Sequence, residues 1–413
     1  MSVVASVVIP THNRLNSLKK MVRLLEAQTY SGKHFEVVLV ADGCTDGTAE
    51  AMKNYRGNLN LATYELPGLG AASARNKGAS VANGRILIFL DDDMEPHPDF
   101  VHQHIAAHTS ANRAVIGYSP LKLESAAGIQ RKLLRTWWEE KFRELKRSDH
   151  RFRYEDLTSG NFSIDANLFK NVDGFDNTLL CREDYELGFR LIHAGAEFYF
   201  AAKALAFHCD EVTDLNRSLQ RKKTEGMADV QIRRKHVNFR NKEEAFYWSM
   251  GKLSRTFLLN FTRDLPKLSD SLAYACAYTI RYFEKLNMRN AWLKVNYHLH
   301  QYWYLRGVLK ECKTIKELKQ VLNTSISRPE KICELKINLH EELTNIERQL
   351  DHSRPEALHI YFAQHYIGHV NYDPGSEPIK GIHLRRILKD NFTEELYKIL
   401  PRHISILKEK HRK

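Results

Sequence analysis

Two periodicities alternate along the first hundred residues. Residues 3–10 (VVASVVIP) form an unbroken apolar run rich in β-branched side chains, whereas NSLKKMVRLLEAQ repeats its apolar positions at helical spacing. Residues 35–42 (FEVVLVAD) are a second buried-strand run. The CTDGTAEAMKNY segment that follows is a turn entering a helix, with Thr45 or Asp46 placed to cap it. LATYEL predicts a third strand, AASARNKGASVA a third helix, and RILIFLDDD a fourth strand that ends on three acids. Strands that are apolar on both faces and alternate with helices predict an α/β fold, a mostly parallel sheet flanked by helices. In such sheets ligands bind beyond the carboxyl ends of the strands. Thr11 to Arg14, Asp42, and the run Asp91, Asp92 and Asp93 all fall there.

The pattern then changes. Residues 113–209 mix short strands (RAVIGYSP, SGNFSID, AEFYFAAKALAFH) with helical stretches (IQRKLLRTWWEEKFREL, DYELGFRLIHAG) and complete the same domain, taken as residues 1–240. Residues 215–236 are polar and basic with few anchoring apolar positions, which predicts a mobile loop. Residues 241–328 read as an aromatic-rich helical extension (AFYWSM, YFEKL, AWLKV, YHLHQYWYLRGVL). Residues 329–413 read as a small α+β module, with an acidic amphipathic stretch, a hairpin turning at Pro374-Gly375, and a helix.

Composition narrows the class. In 413 residues, 43% are hydrophobic and 27% charged, the balance of a folded soluble protein of two or three domains. No apolar run approaches the ~20 residues that span a bilayer, and the N-terminus lacks the features of a secretory signal. Six scattered cysteines without a CxxC pair suit a reducing compartment, so the expected location is cytoplasmic. The net charge of +12 is concentrated late, with 29 Lys+Arg against 20 Asp+Glu beyond residue 240. That half could meet anionic lipid, nucleic acid or another polyanion, or be a solvated helical surface. Residues 251–310 hold 10 Lys+Arg against 3 Asp+Glu amid many Tyr and Trp, which points to peripheral contact with an anionic membrane, at the inner face of the plasma membrane.

Three adjacent carboxylates at a strand end repel one another unless a cation or donors neutralise them, and hard oxygen ligands suit Mn²⁺ or Mg²⁺ shared with substrate phosphates. Asp42 could accept from a nucleotide's base or ribose hydroxyl, or belong to an Asp-Gly turn. The first strand is followed by no GxGxxG, and GLGAASARN lacks a P-loop's Lys-Ser/Thr. Trp137 and Trp138 could stack on an acceptor sugar or belong to the core. His104 and His108 share a helical face, but without HExxH they read as surface histidines. Arg221, Lys222 and Lys223 could close as a lid or be a solvated loop.

In order, SVVIPTHNR, VVLVADGCTDGT, GLGAASARNKGAS, GRILIFLDDDMEP, SGNFSID with GFD, and CREDYELGFRL resemble the family 2 inverting glycosyltransferases, over residues 3–210. The resemblance implies a GT-A fold and a nucleotide-sugar donor, UDP-linked by expectation. It implies a uridine cradle of Pro10, Thr11, His12, Arg14 and Asp42, with Arg75 and Asn76 near the diphosphate or sugar and Asp91 or Asp92 near the ribose. Asp93 would bind the metal, joined by Asp91 and His208, Asp184 would be the catalytic base, and Glu183 could bind an acceptor hydroxyl. The expected acceptor is a carbohydrate or a lipid-linked glycan, as in cell-surface polysaccharide synthesis, with no nucleic acid. Alternatives are a polyprenyl-phosphate sugar synthase, a sugar nucleotidyltransferase, or a polyanion-binding protein acting through the basic half.

Overall fold

The computed structural model describes residues 3–122, 128–209, 215–239, 252–312, 314–321 and 331–410. They form two compact units, Met1–Arg143 with Tyr154–Ser325, and Glu144–Arg153 with Ile326–Lys413.

The first unit is built on β1 (Ala5–Thr11), β2 (Phe35–Asp42), β3 (Leu61–Leu66), β4 (Ile86–Leu90), β5 (Met94–Pro96), β6 (Arg113–Tyr118), β7 (Asn161–Asp165) and β8 (Glu197–His208). They make one eight-stranded sheet in the order β3-β2-β1-β4-β7-β6-β8-β5. The pairs β1–β2, β1–β4 and β2–β3 are parallel, as the apolar runs predict; β7 enters antiparallel to both β4 and β6. Helices α1 (Leu15–Glu26), α2 (Thr48–Lys53), α3 (Ala71–Val81), α4 (Phe100–Ala107), α5 (Ile129–Leu145), α6 (Ala166–Asn171) and α7 (Glu183–His193) join the strands. In α1 the buried positions Leu18, Met21, Val22 and Leu25 follow the helical period and meet Val7, Ile9 and Leu39 of the sheet.

Residues 215–236 correct their sequence reading. They form a helix, α8 (Leu215–Lys235), followed by α9 (Lys252–Asp264), α10 (Pro266–Lys285), α11 (Arg289–Glu311) and α12 (Ile315–Val321). The signal hidden in the polar stretch is a narrow stripe: Leu219, Gly226, Ala228, Val230 and Ile232 are buried. Gly226 and Gly307 let α8 and α11 approach closely. A Cβ at Gly226 would lie 2.2 Å from the Tyr304 carbonyl oxygen, and one at Gly307 would lie 1.9 Å from that of Lys223. The basic triplet is therefore no loop lid: Lys222 Nζ donates to Glu225 at 2.8 Å, Arg221 pairs with Glu225 at 3.4 Å, and the Lys223 ammonium lies over the Trp303 ring. The AFYWSM stretch falls outside the described residues.

The second unit pairs β9 (Glu334–Asn338) parallel and β11 (His365–Val370) antiparallel to a central β10 (Ala357–Phe362). Its helices are α13 (Leu343–Ser353) and α14 (Leu384–Lys410), and Ile346, Leu350, Leu358 and Ile360 centre its core. The β10–β11 hairpin turns at Ala363, not at Pro374-Gly375. Ala363 takes φ +51°, and Asn338 holds it by donating to its carbonyl at 3.0 Å and accepting from its N–H at 2.9 Å. The segment 144–153 belongs to this unit: the Phe152 N–H donates to Glu377 at 3.0 Å and Arg386 to Glu144 at 2.7 Å.

Candidate functional site

Sheet register assembles the acidic end. Parallel pairing sets Thr11 beside Ala41 at the carboxyl ends of β1 and β2, and the acids follow directly after β4. Antiparallel pairing of Met94 with His208 brings the ends of the acid run and of β8 together. The Cys209 N–H donates to the Asp93 carbonyl at 2.9 Å, fixing that alignment. As a result His208 Nε2 lies 3.6 Å from Asp93 Oδ1, although 115 positions separate them in the chain.

Each acid of the run has different surroundings. The Thr11 hydroxyl donates to Asp92 at 2.7 Å, and Arg14 reaches Asp92 and Asp93 at 3.7 Å each. Burial raises the Asp92 carboxyl to about 6 despite these partners. Burial also acts against ionised Asp93, but His208 and Arg14 outweigh it and hold the carboxyl below its usual range. Asp91 is bonded instead to Arg75, at 2.6 Å.

Arg75, on α3, joins the two acidic clusters. Its buried guanidinium donates to Asp91 at 2.6 Å and to Glu183 at 2.8 Å, with Phe175 packed against its face. Burial disfavours this cation, but the two carboxylates more than compensate and hold its pKa above the ordinary guanidinium value. The start of α7 is thereby tied to the end of β4. The acids Glu183, Asp184 and Glu186 occupy the first turn of α7, where the helix dipole favours negative charge.

Asp184 is enclosed beside them. Burial, then the neighbouring Glu183 charge, raise its carboxyl to about 6, opposed by Lys141 and Arg75. Lys141, on α5, donates to the Glu155 carbonyl at 2.8 Å, and burial lowers its pKa. Its ammonium also lies over the rings of Trp137 and Trp138. Trp137 is half exposed, while Trp138 stacks on Phe142 and meets His208 edge-on at 6.0 Å. One turn of α5 thus carries two indoles and a cation next to both His208 and Asp184.

The remaining candidates have partners of their own. Asp42 Oδ1 accepts from the Gly68 and Leu69 amides at 2.8 Å and Oδ2 from Gly70 at 2.6 Å, which fixes the loop leading into α3. His12 Nδ1 lies 2.6 Å from the Asp42 carbonyl oxygen, and Pro10 is buried within β1. The Asn76 amide donates to the Phe175 carbonyl at 2.7 Å and accepts from its N–H at 2.9 Å, so this side chain secures the GFD loop. His104 and His108 are not surface histidines. His104 is enclosed between Ser163 and Asn161 at 2.8 and 2.7 Å, and His108 reaches Ser163 at 2.8 Å. Burial lowers their pKa values to about 3 and about 4, so both are neutral, His104 in the core and His108 half-buried at its edge.

Two contributors escaped the sequence reading. Lys141 follows the tryptophans at helical spacing, which would have exposed it. Arg182, adjacent to the Glu183-Asp184 pair, takes the left-handed φ of +59°. It pairs with Glu225 at 3.0 Å and Asp229 at 3.2 Å on α8 and lies over Tyr185. A non-glycine residue in that region costs about 1–2 kcal/mol, which these carboxylates offset.

The acids also bear on a metal. Asp93 Oδ1 is buried without a hydrogen-bond donor among the described residues, and it faces His208 at 3.6 Å. A carboxylate oxygen opposite an imidazole nitrogen fits two ligands of a divalent cation, with phosphate oxygens completing the shell. The third expected ligand, Asp91, is bonded to Arg75, and among the described residues no group of three His, Cys, Asp or Glu is gathered.

Residues 6–172 match the sequence model of Glycosyl transferase family 2. The chain carries a family 2 glycosyltransferase domain. Over 123 residues it is 37% identical to the validoxylamine A glucosyltransferase of Streptomyces hygroscopicus subsp. jinggangensis, covering 28% of this chain and 29% of that protein. It is 24% identical over 206 residues to the glycosyltransferase AglE of Haloferax volcanii, covering 49% of this chain and 66% of that one. The chain therefore matches under a third of the first relative and just under two thirds of the second. A looser likeness, at TM-score 0.47 and 16% identity, covers 73% of the chain and 86% of a Pyrobaculum calidifontis mannosyltransferase solved with GDP-Man and Mn²⁺.

Proposed function

We propose that the chain transfers a sugar from a nucleotide-activated donor, UDP-linked by preference, to an acceptor hydroxyl with inversion at the anomeric carbon. The observation that carries this reading is the Arg75 bridge, which ties the acid run after β4 to the Glu183-Asp184 pair at the start of α7. A single displacement needs these two elements together: one end neutralises a departing diphosphate while the other removes the acceptor's proton.

Asp184 takes the hydroxyl proton as the acceptor oxygen bonds to the anomeric carbon. The sugar–phosphate bond breaks, and its electron pair leaves with the diphosphate. A base with a pKa near 6 is ionised at neutral pH yet basic enough to accept that proton. Arg14, partly exposed beside Asp92 and Asp93, would meet the diphosphate as a cation. Asp93 and His208 would hold a Mn²⁺ or Mg²⁺ ion, which as a Lewis acid neutralises leaving-group charge when bound. His12 and the loop held by Asp42 form the base-binding rim, and Trp137 with Trp138 supplies an apolar platform for an acceptor sugar. A glucosyltransferase among the relatives supports a hexosyl donor.

Two measurements test the reading. A thermal-shift panel of UDP, GDP, dTDP and CMP sugars, with and without Mn²⁺, should single out one nucleotide and depend on metal; binding at a hundredfold excess over Kd adds ~2.7 kcal/mol. With the sugar donor so identified, Asp184→Asn should lose roughly 10²–10⁴ in turnover while nucleotide affinity changes less than about twofold. Turnover within tenfold of wild type would remove Asp184 from the chemistry.

A further inference from the structure

Helix α10 is two-sided. Ser269, Ala273, Ala277 and Ile280 are buried, and Trp292, Leu299 and Trp303 of α11 share their core cluster. On the opposite side Leu268, Leu272, Tyr278, Tyr282 and Leu286 stand exposed, with Tyr278 at 59% and Leu286 at 68% of full exposure. Between them lie only the small residues Ser271, Ala275 and Thr279, all exposed. Leu265 prolongs the stripe and also lines an apolar groove of about 420 Å³ with Phe257 and Phe261 of α9. Scattered exposed leucines need no explanation, but a continuous stripe along a twenty-residue helix does.

The exposed charges flanking the stripe on α10 itself are cationic, and Asp264, which lines the groove beside Leu265, is paired with Arg263 at 2.7 Å. Lys267, Arg281 and Lys285 are exposed along one edge of it. Both acidic residues of α10 are engaged elsewhere: Asp270 accepts from Arg306 at 2.7 and 2.9 Å and from Tyr302 at 2.6 Å, and Glu284 accepts from the Ile129 N–H at 2.8 Å. No helix among the described residues is long and apolar enough to cross a membrane. Amphipathicity with rings and leucines on one face, cations at its edge and too little hydropathy to span is the physical signature of a helix lying in a bilayer interface.

We propose that α10 is the face by which this protein lies on an anionic lipid surface. The rings and leucines enter the headgroup boundary, while Lys267, Arg281 and Lys285 attract anionic headgroups. Each such cation raises partitioning about fivefold at low salt, so the edge accounts for roughly a hundredfold. The inference does not depend on which donor or acceptor the site takes.

The test is cosedimentation of the full chain with vesicles of phosphatidylcholine, alone or with phosphatidylglycerol. Wild type should pellet with the anionic vesicles at low salt and be at least tenfold weaker on neutral ones. Leu272→Ser/Tyr278→Ser/Tyr282→Ser and Lys267→Glu/Arg281→Glu/Lys285→Glu should each lower anionic binding tenfold or more. Far-UV circular dichroism and nucleotide-induced thermal shifts should stay as in wild type, because the replaced side chains are exposed. Wild type remaining in the supernatant at low salt overturns the proposal. So does undiminished binding of the Leu/Tyr variant, which would mean charge alone suffices. A concentration-dependent dimer, lost in that variant and indifferent to vesicles, would assign the stripe to a second copy instead.

Discussion

The carboxyl edge of the sheet and the exposed face of α10 break opposite rules of protein construction. The first gathers charge around a buried cation: Arg75 is 5% exposed, with Glu183, Asp184 and Lys141 partly buried near it and Asp91 about one third exposed. The second leaves leucines and tyrosines in solvent along a whole helix. A buried ion loses several kcal/mol of solvation, and a large apolar patch invites association. Neither arrangement helps a chain fold, so each marks a place where something other than folding has shaped it. They differ in how tightly the surroundings enforce them. In the site every charge has a partner whose loss would be felt, whereas the α10 side chains have little to lose.

That difference sets the largest expected effect. Arg75→Met would leave Asp91 and Glu183 without their shared cation, and removing one member of a buried ion pair costs about 3–5 kcal/mol. Urea unfolding should show that loss, and turnover should fall with it because the start of α7 is no longer tied to β4. A loss under about 1 kcal/mol would mean that the two acids readily take up protons or water, and that the site is less closed than its geometry implies.

Helix packing comes next. Gly307→Ala puts a methyl group where the Lys223 carbonyl oxygen is 1.9 Å away, so α8 and α11 must separate. Overpacking of this kind costs roughly 1–3 kcal/mol. Because α8 also carries Glu225 and Asp229, the partners of Arg182, the same change should lower kcat more than it raises KM. Equal effects on both would detach the helical layer from catalysis.

The titration of Asp184 gives an effect of similar size and opposite sign that vanishes at low pH. Its carboxyl rises from the ordinary value to about 6 on folding, so the folded state holds the proton more tightly. That contribution is complete below about pH 4 and disappears as pH rises through 6; above it the ionised, buried group works against the fold. Asp184→Asn should therefore raise unfolding stability by about 1–3 kcal/mol at pH 8 and hardly change it at pH 4. In wild type, kcat/KM should climb with pH through about 6 and then level. A variant that gained nothing at pH 8 would show that the charge is already well solvated.

How much of this was legible beforehand follows from the range of the forces. The β1–β4 half is fixed by local apolar runs, and the acids after β4 announce themselves because a triple carboxylate is conspicuous in any sequence. The Glu183-Asp184 pair was found through the motif order. The Arg75 bridge was not, since it joins positions 108 residues apart and depends on how α3 and α7 meet. Nor does composition reveal that the Asn76 and Asp42 side chains are engaged by backbone amides and carbonyls. Helix α8 was mistaken for a loop because its buried stripe uses glycine and alanine, residues that carry almost no hydrophobic signal. His104 on α4 reads as a surface residue for the converse reason: a polar ring can be buried wherever Ser163 and Asn161 supply its hydrogen bonds.

The smallest effect sharpens the opening contrast most. Tyr278→Ser and Tyr282→Ser remove rings that touch mainly each other, at 5.7 Å between centroids, and each should change unfolding stability by no more than about 0.5 kcal/mol. Ala277→Asp, one position away on the buried face of the same helix, would bring a carboxylate into the cluster of Trp292, Leu299 and Trp303 and should cost several times that. If the tyrosines were part of the fold, serine would cost at least about 1 kcal/mol, and their exposure would need no outside partner. Near-neutral values combined with a tenfold loss of lipid binding would leave contact with something beyond the chain as the remaining reason for rings and leucines to line that face.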